Sequence, residues 1–484
     1  METPINADFE KLKDIIEPML RAARIPGAAI AIVSGGETVF ARGYGYRDLE
    51  AKRPMVSDTI YPIASTTKAI NATLIGMLVD DGILEWDLPV QNYLPRFRLQ
   101  DPLRSAQITI RDLLTMRTGL PRHDHVWIDT PMERTRLVAL LLHLDLSAGF
   151  RERFQYNNMT ATVAGHIAEV LTGTSWEELV KTRILDPLGM SATGFKLPGE
   201  GEASQSYHEN ADREIKRSTR FATEVTAPSG GAIHSTVEDM ARWIAFNLRG
   251  GTVDGRALIT ARTLAEIHSP QMVARPDTAA PTPHATYALG WFVDTYNGSA
   301  RLSHGGYLHD VNSDVMLFPG NGIGLVSFNN FGFTGLSRLI NQHIFDFVMG
   351  FEPAQTVAEK LAEYERKVLE TRQRNTSVRR VANTSPSHSL DQYVGIYAHP
   401  AYGEIEISQR DEGLLFRRNS LVIHLQHWHY DTWIARDPGR FFIHLPTPFD
   451  PTSPFEFETD ALGDIAAISL RLEPAVSAIR FTRR

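Results

Sequence analysis

Between Ala69 and Asp81 almost every helical position is apolar or small, with Ile70, Leu74, Ile75, Met77, Leu78 and Val79 on successive faces and Gly82 where a C-terminal cap belongs. A helix without a polar face is buried on all sides, so the rest of the chain has to be built around this one. It opens with Ser65-Thr66-Thr67-Lys68. A helix beginning near Ser65 sets the hydroxyl among unpaired N–H groups at the positive end of the dipole, which favours developing negative charge. Lys68 follows three residues later on the same face. A lone ammonium is costly to bury there. Catalysis supplies a reason for it: Ser65 is expected as nucleophile and Lys68 as the group that activates it.

The flanking segments predict how that helix is enclosed. Leu12, Ile15, Ile16, Met19 and Leu20 have helical spacing, giving a helix over Phe9–Ala23 that Pro26-Gly27 stops. Ala28–Val33 and Thr38–Ala41 around Ser34-Gly35-Gly36 read as a hairpin. Gly43-Tyr44-Gly45 fails as a dinucleotide loop, because no helix follows it and the third glycine is missing. Further helices are expected at Ile108–Met116, Met159–Leu171, from Trp176 to Ile184, and around Met240, Trp243 and Ile244 after the capping pattern Ser235-Thr236-Val237-Glu238-Asp239. From Tyr287 onward the period becomes that of strands (Gly290–Val293, Arg301–Ser303, Val315–Phe318, Ile323–Phe328), and an amphipathic helix closes the region at Leu336–Met349. Strands at both ends with helices between them predict one antiparallel sheet assembled from the two termini, with an inserted helical lobe and the site at the seam. Pro121–Phe154 and the acidic Gly199–Glu214 read as loops that would govern specificity. His123 and His125 alternate as metal ligands can, but no third ligand is near them, so a polar loop is expected there.

The 484 residues exceed one ordinary domain. Ala354–Arg374 reads as a charged helical connector and Asn375–Ser389 as a linker. From Leu390 come short runs at strand period: Tyr393–Tyr397, Gly403–Ser408, Leu414–Arg417, Leu421–Leu425, Thr432–Ala435, Phe441–His444, Phe455–Glu458, Ala467–Leu472 and Ile479–Thr482. They predict an all-β sandwich or barrel. The expected division is 1–352, 353–389 and 390–484. His424, His427 and His429 have no acidic partner in the pattern and fit a surface role better than a metal site. The chain has no cysteine, which excludes disulfides, thiol catalysis and thiolate metal sites together. A net charge of −8, spread along the chain, argues against nucleic acid as a partner. No apolar run reaches the roughly 20 residues that span a bilayer, and Met1–Lys11 lacks the basic and apolar regions of a secretory signal. A cytoplasmic location is expected, or a periplasmic one where a leader has been removed.

Ser65-x-x-Lys68 alone is a weak pattern. Two further elements follow it in order, Tyr156-x-Asn158 and His304-Gly305-Gly306. With all three, the chain resembles the serine β-lactamase and penicillin-binding-protein superfamily, nearest its class C and S12-peptidase branch. The resemblance implies an α+β fold, an antiparallel sheet flanked by helices with an inserted helical lobe. It implies Ser65 as the acylated nucleophile, Lys68 and Tyr156 as a coupled proton-transfer pair, and Asn158 as the amide that orients Lys68 and the substrate. His304, Gly305 and Gly306 would lie on a sheet-edge strand lining the cleft, with the N–H groups of Ser65 and Tyr307 as oxyanion hole. Neither a metal nor a cofactor is implied. Related enzymes often carry Lys-Thr-Gly as the third motif, whereas a histidine is largely neutral above pH ~6.5. That departure points toward D-aminopeptidases, other peptidases and amidases of unusual peptides, and esterases, and away from β-lactamases. Several such peptidases end in a lipocalin-like β-barrel, which matches the segment from Leu390.

A lysine of pKa ~10.4 and a tyrosine of pKa ~10 each miss a neutral-pH base by about 3 units, roughly 4 kcal/mol. The two are expected to titrate as a pair, and the residues leave open which holds the proton. Tyr156 also fits a core aromatic, and Asn158 a helix N-cap. The expected activity is hydrolysis of peptide or amide bonds in short or non-standard peptides, including D-residue-containing or linearised cyclic ones, through acyl-Ser65. Small peptides, amides or esters are the expected partners, and a homo-oligomer is compatible. The alternatives are a carboxylesterase or β-lactamase-type hydrolase, or a non-catalytic penicillin-binding-like protein.

Overall fold

Strand β1 (Gly27–Ser34) is buried on both faces as far as Val33. Ala29, Ala31 and Val33 face one core, while Ala28, Ile30 and Ile32 face another. A strand covered on both sides needs no polar alternation, which is why this run reads as continuously apolar. The structure is a computed structural model describing residues 7–197, 202–210, 213–275, 285–332, 335–363, 365–366, 379–411, 413–436 and 453–484.

The expected hairpin joins β1 to β2 (Glu37–Asp48), and β3 (Arg53–Pro54) follows at the edge. The other strands of this sheet come from the far end of the region: β4 (Met272–Arg275), β5 (Ala285–Tyr287), β6 (Phe292–Tyr296), β7 (Ser299–Leu308), β8 (Val311–Phe318) and β9 (Ile323–Asn329). The nine strands lie in the order β4-β5-β6-β7-β8-β9-β1-β2-β3, with β1 antiparallel to β9 and Ala28 opposite Asn329. One sheet built from both termini is thus present. Its outer face is covered by α1 (Leu12–Ala22) and by a closing helix at Leu336–Met349. Phe318 stacks on Phe345 there at 3.7 Å between ring centroids. The inner face carries the helical lobe, centred on α2 (Thr67–Asp80), which is buried from Thr67 through Leu78.

Several local expectations are corrected. The helix expected at Ile108–Met116 is shorter, Ile110–Leu114, because Thr109 and Asp112 form a capping box that starts it late. Pro121–Phe154 is not simply a loop: it holds a helix at Arg134–Leu140, and Leu137, Leu140 and Leu141 enter the core. Part of Gly199–Glu214 lies outside the described residues. The rest is not an exposed loop, since Ala203, Ser204 and Ser206 are buried and Tyr207–Glu209 pairs with Ile215–Arg217. Tyr207 is fully buried, its hydroxyl donating to Glu50 and accepting from the Leu49 N–H. Residues 357–363 of the expected connector are helical.

The C-terminal region resolves the choice between sandwich and barrel. Its strands β10 (Gly395–His399), β11 (Gly403–Arg410), β12 (Gly413–Arg418), β13 (Leu421–His429), β14 (Thr432–Ala435), β15 (Phe455–Thr459), β16 (Ile465–Leu470) and β17 (Ile479–Arg483) form a closed barrel. The strand expected at Phe441–His444 lies outside the described residues. Tyr393, Tyr397, Phe416, Trp433, Phe457 and Phe481 fill the interior, and its apolar core is continuous with that of the helical lobe. Among the described residues no helix is long and apolar enough to cross a membrane.

Candidate active site

From residue 61 to residue 78 every side chain is buried except that of Ser65. Ser65 lies in a 3-10 turn, Ala64–Thr66, that leads directly into α2. Ala64 ahead of it has a φ of 51°, a left-handed conformation costing a residue with a Cβ about 1 kcal/mol. Two close approaches hold the turn. A Cβ on Gly306 of β7 would lie 2.6 Å from the Ile63 carbonyl oxygen, and one on Gly230, at a φ of 132°, would lie 2.8 Å from the Ser65 nitrogen. Ser313 on β8 adds a hydrogen bond from its hydroxyl to the Ile63 carbonyl at 2.7 Å.

Lys68, 1% exposed, has three oxygens around its Nζ: Ser65 Oγ at 3.0 Å, Asn158 Oδ1 at 2.7 Å and the Ser229 carbonyl at 2.5 Å. Burial drives its pKa well below that of a free lysine, the Arg122 guanidinium pushes the same way, and Asp124 opposes them. A neutral amine has two protons and one lone pair. Asn158 and Ser229 offer only acceptors to it, so the two protons go there and the lone pair is left facing the serine hydroxyl.

Asn158 is the first residue of a helix, Asn158–Thr172, but it is not the cap. Asn157 takes that role, its Oδ1 accepting from the Thr160 N–H at 2.9 Å, and this leaves the Asn158 amide for Lys68. Tyr156 is hydrogen-bonded to Ser65, and burial raises its pKa more than Ser65 and Arg122 lower it, so it is a neutral phenol. The Lys68 Nζ lies 4.7 Å from its ring centroid. Burial thus shifts both groups toward their neutral forms, the amine of Lys68 and the phenol of Tyr156.

His304 departs from its expected place. It is 1% exposed, packed among Tyr156, Tyr287 and Phe292. Its Nδ1 donates to the Gly305 carbonyl at 2.7 Å, and its Nε2 accepts from the Tyr287 hydroxyl at 3.1 Å. Burial, with Lys68 second, pushes its pKa down to about 3. Both nitrogens are engaged within the protein, so His304 backs Tyr156 from behind instead of reaching a substrate. Nor is β7 an edge strand, since it runs between β6 and β8. Strand β6 pairs only as far as Ser303, and residues 304–308 continue paired to β8 alone, which leaves one side of that stretch without a strand partner. Gly305, Gly306 and Tyr307 occupy that one-sided stretch, next to the Ser65 turn.

Sequence reasoning missed two side chains here. Asp124, 1% exposed, accepts from Asn158 Nδ2 at 3.1 Å and from the Trp127 indole at 2.9 Å through one oxygen, and from Arg122 Nε at 2.7 Å through the other. Arg122 keeps 35% of its side chain exposed and stands 4.9 Å from the Tyr156 ring centroid. Arg122 precedes and Asp124 opens a short 3-10 turn, Asp124–Val126, too short for a period to mark either, and only a packed fold brings them beside Asn158.

Residues 12–348 match the family model described as Beta-lactamase. The chain belongs to that family. Residues 379–483, which include the barrel, match a second model described as a domain of unknown function, DUF3471. Among relatives of this β-lactamase-family chain, an unguisins hydrolase (ungD′) of Aspergillus campestris is 27% identical over 84% of this chain and 79% of its own length. Protein flp of Staphylococcus aureus is 28% identical over 74% of this chain and 70% of its own. The fold is similar to that of the octameric penicillin-binding protein homologue from Pyrococcus abyssi, with a TM-score of 0.64, 20% identity, and coverage of 98% and 100% of the two chains.

Proposed function

We propose that the protein is a serine hydrolase that cleaves peptide or amide bonds through an acyl-Ser65 intermediate. The observation that carries this reading is the buried Lys68 Nζ 3.0 Å from the Ser65 hydroxyl, in surroundings whose burial disfavours its charged form. Lys68 takes the hydroxyl proton as Ser65 Oγ attacks the carbonyl carbon. The N–H groups of Ser65 and Tyr307 receive the oxyanion. When the C–N bond breaks, Tyr156 gives its proton to the departing amine and is reprotonated by Lys68, and water then releases the acid by the same route.

Short or non-standard peptides are the preferred substrates in this reading, and small activated esters are turned over as a side reaction. Two observations support it. The unguisins hydrolases are similar over most of the chain, and a neutral, fully engaged His304 offers no charge to a β-lactam carboxylate. The octameric assembly of the fold relative makes a homo-oligomer the expected solution state. Incubation with a fluorophosphonate tests the core of the proposal: intact mass should rise by one adduct on the wild type and stay unchanged on Ser65→Ala. Parallel panels of p-nitroanilides and p-nitrophenyl esters then rank amide against ester. Hydrolysis that persists in Ser65→Ala removes the proposal.

A further inference from the structure

The stretch 122–130 has two sides. Arg122, Asp124 and Trp127 turn toward the site, where Asp124 holds Asn158 and, through it, Lys68. The positions between and beyond them are held by the barrel. The His123 N–H donates to Glu473 Oε2 at 2.8 Å, and the His123 ring lies between the Tyr402 hydroxyl at Nδ1, 2.6 Å, and the Asp145 carbonyl at Nε2, 2.9 Å. A carbonyl can only accept, so Nε2 carries the ring proton and Nδ1 accepts from Tyr402. Arg418 at the end of β12 donates to the His125 carbonyl, while Ser420 and Asn419 in the next turn hold Asp129 and Thr130. Glu473, Tyr402 and Arg418 are all buried.

His123 itself is fully buried with a φ of 46° and a ψ of 35°. Left-handed backbone is uncommon for a residue other than glycine and persists where the surroundings over-determine it. The surroundings here are the barrel on one side and the site on the other. A chain of direct hydrogen bonds therefore runs from Glu473 to the His123 backbone, then from adjacent Asp124 to Asn158 and Lys68.

We propose that the barrel is a working part of the active site, in which Glu473, Tyr402 and Arg418 are positioning residues that hold the left-handed turn at His123 and so the Asp124 carboxylate that aligns Asn158 and Lys68. This rests on the acyl-Ser65 reading. A displacement of the base by about 1 Å costs up to ~100-fold in rate, so loss of the clamp has to show in the acylation step. The full-length chain is compared as wild type, Glu473→Ala, Glu473→Gln and Tyr402→Phe, each also with His123→Gly. The readouts are the fluorophosphonate labelling rate, kcat and KM on a p-nitrophenyl ester, the pH profile of kcat, and Tm.

Glu473→Ala should lower kcat and the labelling rate about tenfold or more with KM changed less than about threefold, and should move the acid limb of the kcat profile. Glu473→Gln keeps one oxygen for the His123 N–H but loses the acceptor that Oε1 gives the Ala475 N–H, so it should fall between the alanine variant and the wild type. Glycine adopts left-handed backbone freely, so in the His123→Gly background the Glu473→Ala penalty should shrink to under about threefold. Wild-type labelling in Glu473→Ala, a glutamine variant as slow as the alanine one, or an unchanged penalty with His123→Gly overturns the inference. Should Glu473→Ala not fold, Tyr402→Phe decides: a lower kcat at constant KM supports the clamp and a wild-type kcat ends it. A wild type that takes up no adduct at Ser65 overturns the acyl-serine reading and this inference together. A labelled wild type with equally fast variants overturns the inference alone.

Discussion

Acid should destabilise this protein because several of its histidines are buried neutral: burial lowers His123, His234, His268 and His399 in addition to the three that follow. His125 is held at about 4 by burial and then Arg418, His304 at about 3 by burial and then Lys68, and His309 at about 3 by burial and then Arg220. All three are 8% exposed or less. In the unfolded chain each has a pKa of ~6.5. The folded values are depressed, so between pH 6.5 and about 4 the unfolded state binds more protons and stability falls as pH falls. At pH 5 each ring costs roughly 2 kcal/mol relative to pH 7.5, together on the order of 6 kcal/mol, against a typical total of about 5–15 kcal/mol. Asp314 and Asp346, whose carboxyls burial raises, take up protons in the folded state and recover part of that loss. Urea unfolding at half-unit steps from pH 7.5 to 5 reads the effect directly. His309 has a φ of 51°, which asparagine tolerates, so His309→Asn removes one titrating ring without forcing the backbone. It should lower the pH dependence by about 2 kcal/mol over this range. A flat stability profile, or an unchanged slope in His309→Asn, refutes the reasoning.

Lys68→Ala should slow acylation by about 10²–10⁴, and Lys68→Arg should not restore it, because a guanidinium stays charged and has no lone pair for the serine proton; pre-steady-state burst rates measure both. Gly306→Ala should cost up to ~100-fold in kcat, since its Cβ would push β7 off the Ile63 carbonyl and shift the Ser65 turn. Gly305→Ala should be far milder, its nearest neighbour being Asp314 Oδ2 at 3.5 Å. Asp112 is wholly buried between Arg117 Nε at 2.6 Å and Arg151 Nη2 at 2.8 Å, so Asp112→Asn should cost about 3–5 kcal/mol in chemical denaturation.

Residue order was enough to identify the buried helix, the hairpin at Gly35-Gly36, the sheet drawn from both termini, the helix at Leu336–Met349, and the placing of Lys68 beside Ser65. These are local patterns: a period, a cap, a spacing of three along one helix. Phe441–His444 falls outside the described residues, but the other barrel strands were legible for the same reason, even though their closure was not. What the order of residues could not say is where the proton sits, because Lys68 loses its charge only when a whole lobe closes over it. Nor could it show that His304 turns away from the cleft, that β7 is an interior strand with a one-sided end, or that Arg122 and Asp124 belong to the site. Those depend on contacts between segments 30 to 350 residues apart, such as Asp124 with Asn158 and His123 with Glu473. Spacing along a chain sets which groups share a helix face; which groups share a dielectric, and whose hydrogen bonds remain open, is settled only when distant surfaces meet.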